Sequence, residues 1–163
     1  MGKTKGVAKL LIILLQAALL SLLPAMAGAQ QALLSDPEIY EKDHFRKICA
    51  SPTFADDFIT RTDINNDGII DAIVNHGAVT CNGEKGVGCD ADGCPYNFYL
   101  QVKEGGYFMM STAKIFGYDF VKRFGNMVFV FRMHPKFCDR TDTAPCEMTV
   151  RVRGAKMVTI SRK

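Results

Sequence analysis

From about residue 55 to its end the chain reads with a period of two, and that period constrains the fold more than any other feature. Phe98, Leu100 and Val102 alternate with Tyr99, Gln101 and Lys103, and Met148, Val150 and Val152 alternate with Thr149, Arg151 and Arg153. A strand with this pattern turns its apolar side chains to one face, which marks antiparallel sheet with one wet face. Segments 58–62, 71–75, 97–103, 107–111, 114–121, 127–133, 147–153 and 156–162 all read as strands. Gly105-Gly106, Gly125-Asn126 and Gly154-Ala155 fall between neighbouring segments and read as tight hairpin turns. The expected fold is mainly β: an antiparallel meander of about eight strands, disulfide-braced, with one short N-terminal helix.

The helix is expected over residues 36–50. Asp36 can cap it, Pro37 suits a first turn, and Glu38 and Glu41 lie near the positive end of the helix dipole. Ile39, Phe45 and Ile48, flanked by Tyr40, supply a modest apolar stripe, and Ser51-Pro52 closes the segment. A chain of 163 residues has room for one core and little more. No repeat or low-complexity linker divides residues 30–163, which read as a single β-rich domain.

Residues 1–29 read differently. Lys3, Lys5 and Lys9 precede an apolar run over 10–23, and small residues follow. That is the layout of a secretory signal peptide. The run is 14 residues long, whereas a membrane-spanning helix needs about 20. Ala25-Met26-Ala27 and Ala27-Gly28-Ala29 both suit cleavage, the second slightly better. The protein is therefore expected in the periplasm or outside the cell, with no stable membrane insertion after cleavage. The three lysines are the only charges before residue 30, and the remainder carries 17 bases against 17 acids. That neutrality argues against a general nucleic-acid binder. Residues 30–95 nevertheless carry a net −7 and residues 96–163 a net +7. Either the two halves pack and compensate, or Arg151, Arg153, Lys156, Arg162 and Lys163 form a basic sheet face for an anionic envelope component or a protein.

Export explains the six cysteines, Cys49, Cys81, Cys89, Cys94, Cys138 and Cys146. An even set in an oxidising compartment predicts three disulfides, and six cysteines allow about 15 pairings. Cys138 and Cys146 flank a turn-rich loop and make the best local pair. Cys81, Cys89 and Cys94 crowd one loop, so at least one reaches elsewhere, with Cys49 available. A zinc site from His76, Cys81, Cys89 and Cys94 lacks the usual close spacing of cysteine pairs, and no Cys-x-x-Cys redox motif is present.

The strongest local signal is Asp63-Ile64-Asn65-Asn66-Asp67-Gly68-Ile69-Ile70-Asp71. Side-chain oxygens stand at positions 1, 3, 5 and 9, Gly68 permits a sharp turn, and the Ile69 carbonyl can point inward. Calcium is a hard ion that takes six to eight oxygens, and this spacing offers most of them. Val74 stands where an EF-hand has its bidentate Glu, and the flanks suit strands rather than helices. The predicted affinity is correspondingly weak, about 10⁻⁴ to 10⁻³ M. The competing reading is a hairpin turn around Asn66-Asp67-Gly68 that caps itself without metal. Asp56 and Asp57 lie just upstream and could lend a further oxygen.

The stretch TDINNDGIIDAIV resembles the calcium loop of FG-GAP and VCBS-type β repeats, in which D-x-N-x-D-G-x-x-D precedes an apolar strand. The wider layout resembles small exported bacterial proteins of unknown function, with a signal peptide, one such loop, a Cys-rich Gly loop and a late Cys pair. The resemblance implies Asp63, Asn65, Asp67, the Ile69 carbonyl and Asp71 as calcium ligands in a mainly structural site. One loop and this length exclude a full propeller. The function expected is a non-enzymatic binding or envelope-interaction module. The alternative is a periplasmic hydrolase or hydrolase inhibitor acting through the Cys-rich loop or the basic face.

Other residues signal no reaction. His44, His76 and His134 are scattered and read as surface or capping residues. Ser51, Ser111 and Ser161 lack a nucleophile elbow, and Asp139 and Asp142 suit a surface loop better than a carboxylate pair. Tyr96, Tyr99, Phe108, Phe116, Tyr118, Phe120 and Phe124 read as core and cross-strand packing.

Overall fold

The computed structural model describes residues 32–123 and 125–163; the expected signal peptide and Phe124 lie outside the described residues. Helix α1 spans Pro37–Ile48. Eleven strands follow among the described residues: β1 Thr53–Phe54, β2 Ile59–Thr62, β3 Asp71–Asn75, β4 Val79–Cys81, β5 Glu84–Lys85, β6 Cys94–Gln101, β7 Tyr107–Ile115, β8 Gly117–Arg123, β9 Asn126–Met133, β10 Cys146–Arg153 and β11 Lys156–Arg162. They form three antiparallel sheets, ordered β1-β4-β5, β2-β3-β6-β7 and β11-β10-β9-β8.

The expected strands are thus present, but the meander is broken in two. The segment expected as one strand at 114–121 divides at Phe116: Ile115 ends β7 and Gly117 begins β8 in a different sheet. Folding the second meander back onto the first lets both bury their apolar faces. Ile73, Phe98, Leu100 and Ile115 of the first sheet meet Phe129, Phe131, Val150 and Val152 of the second. Phe98 and Phe129 stack edge to face at 5.4 Å. Each such aromatic side chain, once fully buried, contributes about 1.5–3 kcal/mol. The small sheet β1-β4-β5 was not expected, because strands of two or three residues carry no readable alternation.

The opposite face of β3 and β6 holds a second core of Ala72, Val74 and Tyr99, packed against Phe45 of α1, Phe58 and Val79. The Asp36 carboxylate caps α1 by accepting the amides of Glu38 at 2.8 Å and Ile39 at 3.3 Å. Pro37, Glu41 and Phe45, four residues apart, form the buried face. The expected stripe is corrected here: Ile39, Tyr40 and Ile48 are 60%, 52% and 55% exposed. A glutamate occupies the centre of the buried face, and the sheet beneath it provides polar partners.

Cys49, the residue after α1, is bonded to Cys81 at the end of β4. Cys89 pairs with Cys94, and Cys138 with Cys146. No cysteine is free among the described residues, so none is available to zinc. Three disulfides are the chemistry of an oxidising compartment. Among the described residues no helix is long and apolar enough to cross a membrane.

Candidate functional site

The Asp63–Asp71 loop joins β2 to β3, which pair from Ile59 opposite Val74 to Thr62 opposite Asp71. Its turn needs two left-handed residues, supplied by Asn66 at φ 64° and Gly68 at φ 83°. The side-chain oxygens close the loop on its own backbone. Asp63 Oδ1 accepts the amides of Asn66 at 2.7 Å and Asp67 at 3.2 Å, and Asp63 Oδ2 accepts that of Gly68 at 2.9 Å. Asn65 Oδ1 accepts Asp67 N at 3.0 Å, and Asp67 Oδ1 accepts Ile69 N at 2.8 Å. This is the Asx-type capping that a polar turn favours.

Asp71 differs from the others because it is fully buried. Its Oδ2 accepts Ile64 N at 3.0 Å and its Oδ1 accepts Gln101 N at 2.9 Å, tying the loop to β6. Burial pushes its pKa up, the two amides offset part of that, and the charges of Asp67 and Asp63 add to the rise. A hard cation would relieve this repulsion, and the donor set, three carboxylates with an amide and a carbonyl, has the chemistry for one. Among the described residues, no three His, Cys, Asp or Glu side chains converge as a metal-holding group. The carboxylates are engaged with amides, and each retains lone pairs beyond those bonds. Asp57 is not a neighbour: it accepts Asn75 Nδ2 at 3.1 Å, at the other end of the β2–β3 hairpin. Asp56 lies in the same short 3-10 turn.

Between α1 and β6 lies a polar cluster that the sequence reading missed. Glu41, 3% exposed, accepts from Asn97 Nδ2 at 2.6 Å and from the Tyr99 hydroxyl through the same Oε1. His76 Nε2 stands 3.4 Å from Glu41 Oε2 and 3.2 Å from Asn97 Nδ2. Thr112 donates to Asn97 Oδ1 at 2.7 Å, completing the chain of contacts. Burial pushes the Glu41 pKa up, but the bonds from His76, Tyr99 and Asn97 outweigh it and hold the carboxyl below its usual range. Burial and the Glu41 charge raise the Tyr99 phenol. His76 is therefore neither a surface residue nor a simple cap. The one signal available was a glutamate halfway between Pro37 and Phe45 at helical spacing, and a sequence does not reveal what faces it.

The other candidates are structural. His134 caps the 3-10 turn Pro135–Cys138 by accepting Lys136 N, and His44 is exposed. Asp139 pairs with Arg162, and Asp142 pairs with Arg140 at 2.6 Å. Most of the aromatic middle packs in the cores, although Phe116 is 45% exposed. Lys114–Asp90 and Lys136–Asp92 join the acidic half of the chain to the basic half. The basic residues named from sequence do not all meet: Arg162, opposite Met148, lies at the far end of β11 from Lys156.

No protein-family model matches the chain, and comparison with curated proteins and with solved structures yields no match.

Proposed function

We propose that this protein is an exported, non-enzymatic binding module, braced by its disulfides and by one calcium ion held in the Asp63–Asp71 loop. Asp63, Asn65, Asp67, the Ile69 carbonyl and Asp71 are the proposed ligands. The observation that carries the reading is Asp71: a fully buried carboxylate whose pKa is raised by burial, with the charges of Asp67 and Asp63 adding to the rise. A divalent ion offsets that repulsion and ties the loop to β6, which makes the role structural rather than catalytic. The spacing of oxygens at positions 1, 3, 5, 7 and 9 around Gly68 supports it.

The test is calorimetric titration of the oxidised protein with calcium, together with thermal melts in EDTA and in millimolar calcium. Saturable binding near one ion per chain is expected, with a dissociation constant of roughly 10⁻⁴ to 10⁻³ M. It should disappear in Asp63→Ala and Asp67→Asn, and calcium should raise the melting temperature of the wild type alone. Absence of heat and of any melting shift up to about 10 mM, well above that range, sinks the calcium reading.

A second reading rests on the Cys-rich segment. Residues 81–89 form an open bowl of about 600 Å³ lined by Asn82, Glu84, Lys85 and Val87, with disulfide-bonded cysteines at both ends. A pinned, exposed loop of that kind suits an inhibitor of a hydrolase better than a hydrolase.

A further inference from the structure

The outer face of the second sheet is divided by charge. By the period of two, Asp119, Arg132, Glu147, Arg151 and Arg153 point away from the core that holds Phe129, Phe131, Val150 and Val152. At one end of this face the charges are balanced. Arg132 pairs with Asp119 at 2.9 Å and stands opposite Glu147.

At the other end they are not. Arg153 stands directly opposite Lys156 across the β10–β11 hairpin, and Arg151 opposite Val158. Arg123 stands opposite Asn126 at the tip of the β8–β9 hairpin, and the β9–β10 register brings that tip beside the end of β10. Among the described residues Arg123, Arg151, Arg153 and Lys156 make no ion pair with an acid. Lys122 precedes Arg123 and is also exposed. The loop of Asp63 and Asp67 shares a cleft with Gly154 and Ala155, and both carboxylates accept backbone amides of their own loop. Val158 and Ile160, on the adjoining edge strand β11, are 42% and 57% exposed, and a bulge takes Ile160 out of the pairing with β10.

The geometry points to this end of the second sheet as a docking surface for an anionic phospholipid bilayer. Four guanidinium and ammonium groups on one face match a plane of lipid phosphates, and a chain otherwise neutral beyond residue 29 has no general reason to gather them. The exposed Val158 and Ile160 decide between lipid and a soluble polyanion. Aliphatic side chains beside a basic rim gain by entering the headgroup boundary, whereas a polyanion in water offers them nothing. This rests on the binding-module reading and names its partner, but does not require a loaded calcium loop.

The experiment is co-sedimentation of the oxidised protein with vesicles of phosphatidylcholine alone or with 30% phosphatidylglycerol by design, in EDTA, across a salt series. Binding to the anionic vesicles alone is expected, weakening as salt rises. Each of Arg151→Gln, Arg153→Gln and Lys156→Gln should lower it about fivefold, and the triple variant about 100-fold. Lys47→Gln and Lys85→Gln, on α1 and β5, should leave it unchanged. Val158→Ser with Ile160→Ser should reduce binding to vesicles but not to dextran sulfate. Equal binding to both vesicle types, equal loss in the control variants, or dextran sulfate binding indifferent to vesicles would overturn the proposal. Because the assay contains EDTA, its failure leaves the calcium reading intact, and a negative calcium titration leaves this one intact.

Discussion

Among the described residues two carboxylates are buried, and their pKa values move in opposite directions. Glu41 is surrounded by donors: a phenol, an amide and an imidazole meet it from β6 and from the turn at His76. Its charge is satisfied and its pKa falls. Asp71 receives two backbone amides, but burial, with the charges of Asp67 and Asp63 added, raises its pKa. Burial raises both, and the donors outweigh it at Glu41 but not at Asp71. The difference teaches that donors complete the charge of Glu41, whereas the two amides at Asp71 do not fully offset its burial. One is a clamp for α1, and the other anchors the Asp63–Asp71 loop to β6.

The largest effect that would test this contrast removes the covalent half of the clamp. Cys49→Ser with Cys81→Ser opens a cross-link with sequence separation 32. Chain-entropy arguments put the loss at about 4 kcal/mol, measured by urea unfolding under oxidising conditions. Glu41→Ala comes next. It leaves Asn97 and Tyr99 donors buried without their acceptor, and a loss of about 3 kcal/mol is expected. Both changes release the same helix, so the combined variant should lose less than the sum. A fully additive result would show that the disulfide and the carboxylate hold α1 independently.

Asp71→Asn in EDTA should cost only about 1 kcal/mol. The charge repulsion disappears, while one of the two amide bonds is lost because an asparagine oxygen faces only one donor well. A cost equal to that of Glu41→Ala would erase the contrast. The smallest and most discriminating effect is in pH. The folded pKa of Glu41 lies below its unfolded value, so its contribution is present above the unfolded value and is lost as pH falls through the folded one. Asp71 has the reverse sign: its folded pKa is raised, so its contribution improves as pH falls through the folded value towards the unfolded one. Urea midpoints measured from about pH 6 to pH 3 should therefore fall less steeply in Glu41→Gln and more steeply in Asp71→Asn than in the wild type. Parallel slopes in the two variants would refute the assignment.

Much of the sheet structure was legible because alternation is local. Phe98, Leu100 and Val102 show their common face without reference to any other segment, and Gly105 and Gly154 mark turns by their own conformational freedom. The Cys138–Cys146 bridge was legible for the same reason, spanning one turn-rich loop. The buried face of α1 was not. Ile39 and Ile48 are apolar by composition, but a helix docks where the sheet has room and partners, and β6 offers Asn97 and Tyr99 to a glutamate. The basic face was half legible: Arg151 and Arg153 share a side by period alone, while Arg123 joins them only through strand order.

The sequence by itself determined most of the longer strands, the α1 cap, the hairpin turns and the oxygen spacing of the Asp63–Asp71 loop, since each depends on residues within a few positions of one another. Only the tertiary structure decided that the meander breaks at Phe116 into two facing sheets, that Cys49 meets Cys81, and that Glu41 lies against Tyr99. Those outcomes depend on which distant surfaces exclude water together and which buried charges find donors, and neither is encoded in any short stretch of chain.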